Sequence, residues 1–143
     1  MSGSQESPAA AGPDPVSEGD RDSRPMSAAE FRTITDWLGL RLADLAWLLD
    51  VQERTIRSWR TGRYPVPDGV RDQILDLDRT TNGFVARVIA ELRDTPDPVV
   101  VVYASDADYW HEYPQAQLPA SWHRQAMARV RDQIPGVRLR YPE

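Results

Sequence analysis

The chain has 143 residues, 41% hydrophobic and 27% charged, which suits one ordinary domain or a small domain with an appended one. The absence of cysteine excludes disulfides, thiolate zinc sites and cysteine nucleophiles. A net charge of −5 argues against indiscriminate coating of nucleic acid, which needs an overall positive field. Because no apolar run approaches the roughly 20 residues of a membrane span and no secretory pattern is present, we expect a cytoplasmic protein without membrane contact.

The first 25 residues have the composition of a disordered tail. They are rich in serine, proline, glycine, alanine and acids, and Val16 is the only large aliphatic residue after Met1. Five acids against two arginines give this segment a charge of −3. Such a segment cannot form a core, so we expect the folded part of the chain to be nearly neutral.

Residues 26–95 begin with a clear helix start. Ser27 and Glu30 form a capping-box pattern, in which each side chain can satisfy a backbone amide of the first turn. Apolar residues then recur at steps of three and four as far as about Leu38. Gly39 permits the left-handed turn that would end this first helix.

Two short helices with a tight turn between them are predicted next. Apolar residues at helical spacing cover residues 42–49, and a third helix is expected over residues 53–61, closed by Gly62. The turn is about three residues long, over residues 50–52. Asp50 can take a left-handed conformation there, because aspartate is among the few non-glycine residues that accept it.

A fourth helix is predicted to start near Pro67, since proline is tolerated in a first helical turn. Its apolar residues alternate in steps of four and three and would form a packing seam from Val70 to Leu92. Asn82 and Gly83 interrupt the pattern, so one continuous helix and a kinked or split helix are both open at this stage.

Residues 96–143 have a different, α+β character. Residues 99–103 are a β-branched run of strand length, and residues 137–141 alternate apolar and basic side chains, so the two segments could pair in a small sheet. Helices are expected from Ser105 and over residues 121–134. The predicted fold class is therefore mainly α: an N-terminal helix-turn-helix bundle of four to five helices with a small α+β C-terminal module.

Residues 45–62 carry the sharpest functional signal. Ala46 is small where two helices cross closely, and Val51 fills the turn. Ile56 and Trp59 would anchor the third helix to the core. The side chains then expected to project outward are Glu53, Arg54, Arg57, Ser58 and Arg60.

Positive charge is concentrated in the same part of the chain. Residues 41–64 contain five arginines and three acids, a local charge of +2 in an acidic protein. A merely solvated polar face would show a similar pattern. However, an exposed helix with hydrogen-bonding side chains is what reading bases in a major groove requires. The pattern therefore predicts a DNA-binding helix.

The stretch 57–62 resembles the end of the recognition helix in the lambda-repressor-like superfamily. More narrowly, Trp59 and Gly62 followed by Val-Pro-Asp at residues 66–68 are similar to the YdiL-like family, which includes autorepressors associated with anti-CRISPR operons. The similarity covers roughly residues 27–134. It extends to the long helix, the strand and the tryptophan-containing last helix, which follow in similar order.

The resemblance implies base contacts from Glu53, Arg54 and Ser58. An arginine can donate two hydrogen bonds to one guanine, and a glutamate can accept a hydrogen bond from the amino group of cytosine. Leu42 departs from the family pattern, which has a polar residue at the start of the second helix, and so removes one phosphate contact. A second departure is Asp50 in place of the usual turn glycine. The residues implied to reach phosphates or flanking bases are Gln52, Arg57 and Arg60. Arg63 completes the predicted DNA-binding set.

A metal or catalytic site is a second alternative for the C-terminal module. Residues 106–112 contain two aspartates, a histidine and a glutamate. A helix cap from Ser105 and Asp108, with acids in the first turn, accounts for them more simply. No glycine-rich phosphate loop is present. We therefore expect no enzyme activity, no catalytic residue, no metal ligand and no cofactor.

The remaining aromatic residues and His123 are expected to be structural. Trp110 and Trp122 could stack on single-stranded nucleic acid, but large aromatics in so small a module are more often its core. His123 is expected to be structural or on the surface, because no serine-acid geometry can be established around it.

The predicted function is sequence-specific repression of transcription. The C-terminal module, residues 96–143, and the seam on residues 70–92 would pair two protomers so that their recognition helices lie about 34 Å apart on an inverted-repeat operator. Autoregulation or control of a neighbouring operon is implied by the family resemblance. The alternative is an antitoxin or adaptor that binds a protein partner through its C-terminal module, and binding of RNA is left open.

Overall fold

The computed structural model describes residues 23–143, so almost all of the predicted tail lies outside the described residues. The fold is mainly helical with one small sheet, as predicted. In chain order the elements are α1 (Ala28–Trp37), α2 (Leu42–Leu49), α3 (Glu53–Thr61), α4 (Asp68–Leu92), β1 (Val99–Val101), α5 (Asp106–Glu112), α6 (Ala120–Gln133) and β2 (Arg138–Arg140).

Helix α1 begins with the predicted capping box. The Ser27 hydroxyl accepts from the Glu30 backbone N–H at 3.0 Å, and Glu30 Oε1 accepts from the Ser27 N–H at 2.8 Å. These hydrogen bonds favour the charged carboxylate and lower the pKa of Glu30. After α1, Gly39 takes a φ of +72°, and a Cβ there would lie 2.5 Å from the Ser121 carbonyl oxygen. Glycine is therefore required both for the turn and for the close approach of α6.

The turn between α2 and α3 has the predicted form. Asp50 is left-handed, with a φ of 56°, and the Val51 N–H donates to the Ala46 carbonyl at 3.0 Å. Val51 is half-buried against the core, while Ile56 is fully buried and Trp59 nearly so. The Trp59 ring meets Phe31 edge-on at 5.8 Å, which fixes α3 against α1.

Helix α4 is continuous through Asn82 and Gly83, which settles the point left open by the sequence. The helix packs along α6, and this packing stabilises the turn that contains the glycine. Thr81 and Val85 on the seam are buried inside the same protomer, and Val88 packs with Val85 in one intramolecular cluster. The buried residues of the predicted seam therefore pack within the protomer, whereas Val70, Leu77 and Val88 of the same seam are half-buried.

The C-terminal segment forms the predicted small sheet, and its strands are parallel. Val99 pairs with Arg138 and Val101 with Arg140. Parallel strands need a long crossover, which α5 and α6 supply. The expectation of buried tryptophans is confirmed for Trp122, which is 8% exposed, and is wrong for Trp110, which is 42% exposed.

The C-terminal module is attached to the helical bundle through α6. Trp122 stacks on Phe84 at 5.3 Å, and its indole N–H donates to the Thr81 hydroxyl at 3.0 Å. The Ser121 hydroxyl donates to the Gly39 carbonyl at 2.6 Å. Within residues 23–143, no helix is both long and apolar enough to cross a membrane.

Candidate nucleic-acid interface

The outward face of α3 carries three long polar side chains. Glu53, Arg54 and Arg57 are exposed, while Ile56 and Trp59 on the opposite side are buried. This separation follows from helical spacing, because residues three and four apart share a face. The buried pair holds the backbone of α3, and the exposed residues are free to meet a partner.

The exposed residues of α3 differ in how they are held. Arg57 Nη2 lies 3.6 Å from Glu53 Oε1, a solvent-exposed ion pair that a stronger anion can displace. In the described part of the chain, the structure gives no hydrogen bond or ion pair for the Arg54 side chain. Arg54 is therefore the arginine of α3 that can contact a partner with least reorganisation.

Ser58 differs from the prediction that it projects outward. It is half-buried, and its hydroxyl donates to the Thr55 carbonyl at 2.6 Å. The reason is that Ser58 lies one helical turn after Thr55, which is itself half-buried. The hydroxyl oxygen of Ser58 can still accept a hydrogen bond, but the hydroxyl proton is already donated to the Thr55 carbonyl.

Arg60 also differs from the prediction. It is half-buried because residues of α1 and α6 lie around it, and its Nε is enclosed without a hydrogen-bond partner among the described residues. Burial, with Arg32 nearby, lowers the pKa of Arg60. The side chain lies beside α1 and α6 rather than on the outer face of α3.

Gln52 and Arg63 lie at the two ends of the same helix. Gln52 is the exposed N-cap residue of α3, and its carbonyl accepts from the Thr55 N–H at 3.0 Å. Arg63 is exposed after Gly62, with its guanidinium carbon 5.8 Å from the centre of the Tyr64 ring. Both predicted residues are accessible at the edge of the α3 surface.

Sequence reasoning missed two residues beside this surface. Thr61 is exposed and lies four residues after Arg57, so helical spacing alone could have placed it on the same face. Arg41, the N-cap of α2, pairs with Asp44 at 2.8 Å and with Asp106 at 3.0 Å. These two carboxylates raise the pKa of Arg41. No local signal indicated the contact with Asp106, which is 65 residues away.

The acidic cluster of the C-terminal module has structural partners. Asp106 accepts from the Ala120 N–H at 2.8 Å and pairs with Arg41. The Ser105 hydroxyl caps α5 by accepting from the Asp108 N–H at 3.1 Å, as predicted. Within residues 23–143, no group of three or more potential ligands is placed to hold a metal ion.

His123 lies in an aromatic pocket. It is 8% exposed, with the rings of Tyr109 and Tyr103 centred 5.1 and 5.9 Å from its own. Burial, with the nearby charge of Arg124, lowers the pKa of His123. Burial also raises the pKa of Tyr103, to about 12. These groups pack against one another inside the C-terminal module.

Comparison with known protein families gives a match over most of the chain. The family model described as Aca2/YdiL-like matches residues 26–132, which covers every helix that the structure describes in residues 23–143 except the last residue of α6. No match was found among curated proteins. The matched range exceeds half of the chain and contains both the helix-turn-helix and α6. The chain therefore belongs to the Aca2/YdiL-like family, and this membership indicates a regulatory protein.

Proposed function

We propose that this protein is a non-enzymatic, sequence-specific repressor of transcription that binds an inverted-repeat DNA operator as a homodimer and acts at its own or a neighbouring promoter. The observation that carries the proposal is the α3 surface. A helix held by buried Ile56 and Trp59 presents Glu53, Arg54 and Arg57 to solvent at the end of a three-residue turn. This arrangement suits a helix that enters the major groove.

The charge of the surface supports DNA as the partner. The chain is acidic overall, at −5, whereas residues 41–64 carry +2. A local basic region attracts phosphates, and an acidic remainder limits nonspecific binding. Arginine and glutamate side chains on one helix can also discriminate bases through their donor and acceptor patterns.

Homodimerisation is supported by the uncovered edge of the C-terminal sheet. All three residues of β2 are exposed, and Leu139 and Tyr141 present apolar surface to solvent. Sheets of two strands are marginal by themselves. A second copy of the chain, related by a two-fold axis, would cover this edge and would place two α3 helices on successive half-sites about 34 Å apart.

The DNA-binding proposal is tested by selecting binding sites from random duplex DNA with the purified full chain. We expect a motif with two-fold symmetry, and we expect the Arg54→Ala/Arg57→Ala variant to lose it. Arg93→Ala, which removes an exposed arginine at the end of α4, should select the same motif as the parent chain. Recovery of no motif, or of one without symmetry, would contradict the proposal.

The dimer is tested by measuring the mass of the protein in solution. Leu139→Asp should shift the protein from dimer to monomer, because it buries a charge in the contact. Ala90→Asp introduces the same negative charge at an exposed position of α4 and should leave the dimer intact. A monomer for the parent chain, or equal behaviour of the two variants, would overturn this mode of association.

A further inference from the structure

A basic pocket lies between the helix-turn-helix and α6. Its volume is about 510 Å³, and three arginines from three different elements line it: Arg41 at the start of α2, Arg60 in the last turn of α3, and Arg124 on α6. Asp36 is the one acid among the described lining residues. The charges of these lining residues therefore sum to a positive value.

The three arginines are held in different ways. Arg41 is largely neutralised by its two carboxylate partners, Asp44 and Asp106. The Nη1 atom of Arg124 donates to the Tyr103 carbonyl, which anchors the guanidinium without neutralising it. Arg60 has an enclosed Nε without a partner among the described residues. Within residues 23–143, neither Arg60 nor Arg124 makes an ion pair, and the lining acid Asp36 is paired with Arg32 at 3.0 Å.

The position of the pocket relates it to the α3 surface. Its lining includes Leu42, the first residue of α2, and Arg60, in the last turn of α3. In a helix-turn-helix docked on a duplex, the first helix of the pair crosses the phosphate backbone while the second lies in the major groove. A backbone that passes the start of α2 therefore passes this pocket.

We propose that the pocket binds a backbone phosphate of the duplex, so that Arg124 and Gln125 of the C-terminal module form part of the DNA-binding surface. This inference rests on the proposed DNA binding. It assigns a DNA contact to the C-terminal module, for which the sequence predicts dimerisation or the binding of a protein partner. A phosphate bound in this pocket would also replace the phosphate contact that Leu42, an apolar residue, cannot make at the start of α2.

The chemistry of the pocket fits a phosphate better than a base. Guanidinium groups form charge-assisted, forked hydrogen bonds with phosphate oxygens. A bound anion would stabilise the charged form of Arg60 and so offset the burial that lowers the pKa of this side chain. Contacts with phosphate position a protein on the duplex without reading sequence, so the pocket should raise affinity for all sequences alike.

The test measures affinity of the full-length variants for duplex DNA over a range of salt concentrations. Arg124→Gln should weaken binding about tenfold near physiological salt and reduce the slope of log K against log salt by about 0.9, the value for one lost phosphate contact. The selected motif should not change. Arg93→Gln removes an exposed arginine outside the pocket lining and should change affinity less than about twofold.

Two further variants show whether the loss of binding in Arg124→Gln results from the lost charge or from a change of structure where Arg124 contacts the Tyr103 carbonyl. Gln125→Glu leaves every arginine in place and adds a negative charge to the lining, so it should also weaken binding. Arg124→Lys should retain most of the salt slope. Equal affinities for Arg124→Gln, Gln125→Glu and the parent chain would overturn the inference while leaving DNA binding intact. Failure of the parent chain to bind duplex DNA would overturn both.

Discussion

Replacing Thr81 with valine tests how α6 is fixed to the helical bundle. The Thr81 side chain is 1% exposed, and its hydroxyl accepts from the Trp122 indole N–H at 3.0 Å and donates to the Leu77 carbonyl at 2.7 Å. Valine has nearly the same shape as threonine, so the change opens no cavity. It leaves the indole N–H enclosed and unpaired, which costs about 1–3 kcal/mol.

The assay is denaturant unfolding followed by tryptophan fluorescence and circular dichroism. Thr81→Val should lower the free energy of unfolding by that amount, with an unchanged dependence on denaturant. Thr95→Val is the matched control: the Thr95 hydroxyl also donates to a carbonyl four residues earlier, Glu91 at 3.0 Å, but it is exposed. The control should change stability by less than about 0.5 kcal/mol.

A double-mutant cycle separates the hydrogen bond from other effects. Trp122→Phe removes the donor, so Thr81→Val made in that background should cost less than in the parent chain, by about 1 kcal/mol. Equal costs of Thr81→Val in the two backgrounds, or a cost no greater than that of Thr95→Val, would refute the assigned role of this contact.

The other predictions concern binding, pH and the approach of α6. Arg54→Ala should cost about 1–3 kcal/mol in operator binding and relax one base position, whereas Arg60→Ala should weaken all sequences alike; equal patterns in binding-site selection would contradict these roles. The lowered pKa of His123 means that the unfolded chain binds a proton more readily, so stability should fall as pH falls below about 6.5. His123→Phe should reduce this slope in denaturation at several pH values, and an unchanged slope would contradict the role of His123. Gly39→Ala should lower the melting temperature, because its Cβ would lie 2.5 Å from the Ser121 carbonyl oxygen.

Local patterns predicted the elements of the bundle closely. The capping box at Ser27, the glycine at residue 39 and the left-handed Asp50 depend on neighbours within a few residues, and each has the expected geometry. The continuity of α4 through Gly83 could not be predicted in this way. It depends on packing against α6, which is about 40 residues further along the chain.

The candidate interface shows the same division between local and distant causes. The exposure of Arg54 and Arg57 follows from the spacing of α3. The burial of Arg60 does not, because it results from α1 and from α6, which enters the same pocket with Arg124. Sequence alone therefore indicated which side chains of α3 are exposed, but not which arginines of other elements lie beside Arg60.

The contacts of α6 also constrain how a dimer could read DNA. Arg129 donates to the Trp37 carbonyl at 3.1 Å and lies 4.1 Å from the centre of the Trp37 ring, while Ser121 bonds to Gly39. These contacts hold α6 to the end of α1, next to α2 and α3, so α3 cannot swing freely relative to the sheet edge. If that edge forms the dimer contact, the separation of the two α3 helices is fixed by the protomer itself. The operator should then tolerate base changes in its centre far better than the insertion of a single base pair there. The insertion increases the distance between the two half-sites and also rotates one half-site about the DNA axis relative to the other.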